Sequence, residues 1–255
     1  MVALLLVEYL VNAALYDSRH VLGIAPDERD ALVVLLGNAV IFVVLMQAKG
    51  MPYRDLLHPS PSSIASTAVL IVPLVVLLIP ALLLVAGSVT ELLERLLPLS
   101  RWEEQAFDRM MSGSLPAIVA TCLLAPVLEE MLFRGIILRA FLQQYPRWAA
   151  IWSSALIFGF AHMNVYQFVV ATMIGVLVGW LYERTRSLIP CIALHALYNA
   201  GATVSDATAR AGSAAFGANA EEWVLAGAAA AAGMVVLLRL LRPSLASRRD
   251  DASTP

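Results

Sequence analysis

"LPAIVATCLLAPVLEEMLFRGIILRAFL", residues 115–142, is apolar and long enough to cross a bilayer, yet its interior holds Glu129, Glu130 and Arg134. A helix needs roughly 20 residues to traverse the hydrocarbon core. Each charge at the centre of such a helix costs roughly 2.5–3.5 kcal/mol. Three in one segment are a penalty that only a structural or chemical role offsets.

The surrounding composition makes these charges conspicuous. Of 255 residues, 60% are hydrophobic and 14% charged, and the mean hydropathy is +0.78. A soluble domain carries roughly a quarter charged residues, so the chain reads as a polytopic membrane protein with the lipid bilayer as its first partner. A net charge of −2 supplies no basic field and removes nucleic acid as a partner. Cys122 and Cys191 lie in apolar runs without CxxC spacing, which predicts buried thiols rather than a disulfide framework.

Apolar runs recur near 2–16, 31–48, 64–87, 115–142, 148–163, 166–183, 188–204 and 223–241, predicting an all-α transmembrane helix bundle of about eight spans. The first run lacks a basic start and carries Glu8, so it reads as a span rather than a secretory signal. Between the third and fourth runs, "SVTELLERLLPLSRWEEQAFDRMMSG" (88–113) has mixed faces and a Ser88-x-x-Glu91 capping box, predicting an amphipathic surface helix for packing or substrate approach. Lys49, Arg54, Arg139, Arg147, Arg184, Arg186, Arg242, Arg248 and Arg249 then face inside, against Arg19, Arg29, Arg95, Arg101, Arg109 and Arg210 outside. That bias favours a multi-pass cell-membrane protein with both termini cytoplasmic. Residues 205–222 read as an external loop and 243–255 as a disordered tail.

Other acid pairs sit where water reaches: Glu103–Glu104 in the amphipathic segment and Glu221–Glu222 before the last span. Glu129–Glu130 does not. Adjacent helical residues point about 100° apart, and Arg134 lies four residues after Glu130, so the spacing predicts a bidentate Glu130–Arg134 bridge. Glu129 is left on the neighbouring face as the free carboxylate. Pro126 frees the carbonyl of Cys122 and is expected to bend the helix beside the acids.

Two more spans bring polar groups to intermediate depth: His162 in "IFGFAH", one turn after Phe158, and His195 in "LIPCIALHALYN", one turn before Asn199. His20 and His58 lie in polar loops and read as solvated. Among the remaining features, Gly175-x-x-x-Gly179 reads as an internal packing face. Asn38 and the Glu8/Asn12 pair read as interhelical glue, and Trp148, Trp152, Tyr182 and Trp223 as an interfacial aromatic belt.

A carboxylate, two imidazoles and a carboxamide around a wet pocket can activate water and stabilise an oxyanion, the two needs of amide hydrolysis. Glu129 is then the general base, and His162, His195 and Asn199 supply donors. The same Glu129, His162 and His195 also make a candidate zinc site with an open position for water. Both versions stand on the residues alone. HExxH and GxSxG are absent, which removes local support for zincin and serine-hydrolase chemistry.

Glu129-Glu130-x-x-x-Arg134, Phe158-x-x-x-His162 and His195-x-x-x-Asn199, in this order on successive spans, resemble the three motifs of the CPBP family. These are the CAAX-protease and bacteriocin-processing intramembrane endopeptidases, also called the Abi family, which include the type II prenyl-protein endopeptidases. The likeness covers roughly 115–204. It implies an intramembrane peptidase in which Glu129 orients the attacking water, His162, His195 and Asn199 line the site, and Glu130 and Arg134 support it. The family has been described both as metalloproteases and as glutamate-dependent enzymes, so zinc stays a candidate cofactor. The implied partner is a membrane-associated protein or peptide. The organisation becomes N-terminal spans and amphipathic segment over 1–110, a CPBP-like catalytic core over 111–204, external loop and last span over 205–242, and the tail over 243–255. Two rival readings use the same charges: a proton-coupled transporter, against which the chain shows no pair of similar halves, and a non-catalytic immunity or binding protein, which would tolerate loss of Glu129.

Overall fold

The computed structural model describes residues 2–50, 52–212, 217 and 219–242. It is an all-α bundle with no strand among these residues. The helices are α1 (Val2–Leu22), α2 (Pro26–Lys49), the short α3 (Tyr53–Leu57), α4 (Ile64–Val76), α5 (Ile79–Leu96) and α6 (Arg101–Met110). They continue with α7 (Leu115–Phe141), α8 (Arg147–Ala161), α9 (Val165–Thr185), α10 (Ile189–Arg210) and α11 (Ala220–Leu240).

Every apolar run folds as helix, but not all eight qualify as spans on length and hydropathy. Among the described residues four helices do so alone, and five if the α4–α5 pair, bent by 47°, counts as one. α8 has only 15 residues, and α10 carries His195, Asn199 and Asp206 among its apolar residues. The helices that fall short include those that bring the site's polar side chains.

Helix boundaries follow from local chemistry. α4 and α5 break at Leu77–Leu78, just ahead of Pro80 in the first turn of α5. Asn164 caps α9 by accepting from the amides of Tyr166 and Gln167 at 3.0 and 3.1 Å. α7 is capped by Ser114, whose hydroxyl accepts from the Ala117 amide at 3.3 Å.

Three expectations are corrected here. Ser88 caps nothing, because α5 runs through it from an apolar stretch with no breaker. The capping box lies at Ser100, after Pro98, where the Glu103 carboxylate accepts from the Ser100 amide at 2.8 Å and starts α6. Residues 205–210 are the end of α10 rather than loop. His58 is part-buried rather than a free surface side chain: its Nδ1 meets the Ser187 hydroxyl at 2.8 Å and its Nε2 the Ser62 carbonyl at 2.7 Å, pinning the 58–62 turn to the α9–α10 link. The His20 side chain and the 243–255 tail lie outside the described residues.

The core sits where α7, α8, α9 and the start of α10 meet, around Phe133, Leu138, Ile151, Phe158, Val178 and Leu194. α9 is the innermost span, 61% buried, against 17% for α11. Tyr182 is fully buried in this core, so it is not part of an aromatic belt, whereas Trp148, Trp152 and Trp223 are exposed. Gly175 and Gly179 admit Ala155 and Ile151 of α8, an internal contact as the small-residue spacing predicts. Glu8 packs on Gly37, and its carboxylate accepts from Asn38 at 3.1 Å, which joins α1 to α2.

Gly159 is the tightest position at the α8–α9 contact. A Cβ there would strike the Thr172 hydroxyl and lie 2.7 Å from the Phe168 carbonyl oxygen. Gly159→Ala is therefore expected to destabilise the bundle by about 1–3 kcal/mol, read as a lower melting temperature in detergent.

Candidate active site

α7 is not a uniform α-helix. Residues Ala120–Leu124 and Met131–Leu138 run in wide π turns, with the Ala125 amide bonding to the Ala120 carbonyl and the Arg139 amide to that of Arg134. π turns place an extra residue per turn and recur at functional sites because they re-aim side chains. Here they flank the α-helical piece Ala125–Glu130, so both acids project between two widened segments. The helix absorbs Pro126 in this way and stays one element.

Glu130 and Arg134 are fully buried and paired, Arg134 Nη1 donating to Glu130 Oε1 at 2.9 Å. The bridge is single, not bidentate as the spacing suggests. Arg134 Nη2 instead donates to the Gly175 carbonyl of α9 at 3.2 Å, and its guanidinium stacks over the Phe158 ring at 4.4 Å. Gly175 is glycine for this reason among others: a Cβ there would come 3.2 Å from Nη2. Glu130 Oε1 also accepts from His195 Nδ1 at 2.9 Å. One buried carboxylate thus ties α7 to α10 and, through Arg134, to α9. The Phe158 edge contacts with His162 and His195, at 5.1 and 5.6 Å between ring centroids, complete the packing.

Glu129 has a different environment. Its side chain is 29% exposed, and Oε2 lies 3.7 Å from His195 Nε2, so one imidazole stands between the two adjacent acids. His162 closes the last turn of α8 and gives its Nδ1–H to the Phe158 carbonyl at 3.0 Å, which leaves Nε2 for other partners. Asn199 donates one amide hydrogen to the Thr121 carbonyl, at 2.8 Å, within the first π segment. Glu129, His162, His195 and Asn199 all line one cavity of about 1300 Å³, enclosed by α5, α6, α9 and α10 as well as α7.

Glu129, His162 and His195 do not fit a zinc site. Among the described residues no three His, Cys, Asp or Glu side chains gather as metal ligands. Glu129 faces His195 at 3.7 Å, and no metal cluster forms from it with the two histidines.

The contact between α6 and α9 escaped motif reading. Asn164, the α9 cap, donates to Glu103 at 3.2 Å, so the capping box of α6 also holds that helix beside the cavity. The Ser100-x-x-Glu103 spacing after Pro98 carried the signal. Hydrogen bonds from the Ser100 hydroxyl, then from its backbone amide, hold the Glu103 carboxyl below its ordinary value of 4.5. A depressed carboxyl favours the folded form above that value, and the contribution is lost as pH falls through the lower folded one. Glu103→Ala should speed amide exchange in α6 several-fold at neutral pH, with the gap to the parent narrowing as pH falls through the depressed value of the folded carboxyl.

Residues 111–201, a little over a third of the chain, match the family model described as type II CAAX prenyl endopeptidase Rce1-like. The match contains all seven motif positions from Glu129 to Asn199. No curated protein and no solved structure matches the chain.

Proposed function

We propose that this multi-pass membrane protein, whose residues 111–201 belong to the CAAX-protease (CPBP) family, hydrolyses a peptide bond of a membrane-associated substrate with water activated by Glu129. The observation that carries the reading is the asymmetry between the two acids. Glu130 is locked by Arg134 and His195, whereas Glu129 faces the cavity.

In the step we envisage, Glu129 takes a proton from water as the oxygen bonds to the scissile carbonyl carbon. The Glu129 carboxyl then returns that proton to the leaving amine as the C–N bond breaks. His162, whose Nδ1–H is already donated, offers Nε2 as an acceptor that orients the water rather than the donor its sequence position suggested. An ionised Glu130 takes the Nδ1–H of His195 and sets that imidazole against Glu129. The 3.7 Å gap between His195 and Glu129 suits a bridging water. The free hydrogen on Asn199 Nδ2 is the donor available to the oxyanion. With both termini cytoplasmic, the α6 side of the cavity opens away from the cytoplasm.

Comparing membrane proteomes of cells that carry the parent and Asn199→Ala proteins tests the reading. The variant should accumulate full-length forms of the substrate, and identical proteomes would overturn the proposal. In purified form Asn199→Ala should lose roughly 10²–10³ in kcat with KM little changed.

A further inference from the structure

The cavity is graded along its length. Beyond the inner end with Glu129, the walls turn apolar, with Leu83 and Ala86 of α5 facing Val170, Ala171 and Ile174 of α9. The outer end is built from the last turns of α5 and α10 together with α6. It carries Glu91, Glu94, Glu104, Asp108 and Asp206 against Arg109 and Arg210, a net of −3 in a chain whose total is only −2.

Some of that charge is compensated. Arg95 pairs with Glu91 at 2.5 Å, and Arg210 bridges Asp108 and Asp206 at 2.9 and 2.7 Å. Glu94 and Glu104 are exposed and form no ion pair among the described residues. Negative charge over low-dielectric walls focuses the field into the opening and attracts cations. At about 1300 Å³ the cavity also exceeds the roughly 300–1000 Å³ of a small-molecule pocket, so it has room for a chain segment.

We infer that the peptide taken by this site carries basic residues beside an apolar segment, the apolar part packing between α5 and α9 and the basic part meeting Glu94 and Glu104. The inference rests on the peptidase reading for what happens to the peptide, but its binding can be measured separately. An acidic flank would meet like charge at the opening and be rejected.

The test uses the full-length Glu129→Gln protein in neutral detergent and three labelled peptides sharing a leucine-rich end, with lysine, glutamine or glutamate flanks. The lysine peptide is expected to bind at least about tenfold tighter than the glutamine one, and the glutamate peptide weaker still. Adding Glu94→Gln and Glu104→Gln should erase the lysine preference. Asp55→Asn with Glu221→Gln, which removes the same charge away from the cavity, should keep it. Equal binding of the lysine and glutamine peptides would overturn the inference, as would a preference that survives loss of Glu94 and Glu104 or vanishes in the Asp55/Glu221 control. Cleavage by the parent protein is scored apart: hydrolysis without charge preference sinks only this inference, and charge-selective binding without hydrolysis sinks only the peptidase reading.

Discussion

Glu129→Gln is expected to lower peptide hydrolysis by roughly 10²–10⁴-fold, the usual contribution of a general base, while the protein inserts and melts like the parent. The substitution keeps the side chain's size and its ability to meet His195, but the amide cannot accept a proton from water. Among the described residues Glu129 forms no direct hydrogen bond, and it is partly exposed in the cavity, so the fold loses little. Initial rates on a cleaved peptide, paired with a thermal melt, separate the two effects. A Glu129→Gln protein that works at the parent's rate would remove the base from the scheme, and with it the distinction from a silent binding protein.

Arg134→Leu should have the largest effect on stability, about 3–5 kcal/mol, because it strands a buried carboxylate. In a protein of this size that corresponds to a melting temperature lower by roughly ten degrees. The loss is more than one ion pair: the Gly175 carbonyl of α9 would lose a donor and Phe158 the cation over its ring. Glu130 would retain only His195, which then has less reason to hold its present orientation. Melting in detergent checks the prediction, and an unchanged midpoint would show that the pair holds nothing together. Arg134→Lys should recover only part of the loss, since an ammonium cannot reach Glu130, Gly175 and Phe158 together as a planar guanidinium does.

The contrast between these neighbouring acids shows what is legible in a linear chain. Two features repeat along this sequence and determine the outcome alone: long apolar runs, which can be only helices in lipid because no water is there to satisfy the backbone, and i,i+4 spacing, which puts Glu130 with Arg134, Phe158 with His162, and His195 with Asn199. That Glu129, His162, His195 and Asn199 would meet at one cavity was readable for the same reason, since polar groups in an apolar helix stand out against their surroundings. The single rather than bidentate bridge, the commitment of His195 to Glu130, and the turning of His162 into an acceptor were not readable. The first two depend on an atom from another helix, the Gly175 carbonyl and the Glu130 carboxylate across 65 residues, and the third on the Phe158 carbonyl left open one turn back where α8 ends. The misplaced capping box has a related cause, because S-x-x-E occurs at both Ser88 and Ser100 and only the absence or presence of a preceding break chooses between them. Local periodicity thus decided the helices and which side chains belong together, while partner choice for Arg134 and His195 was left to tertiary packing, because hydrogen-bond geometry between helices depends on their relative placement.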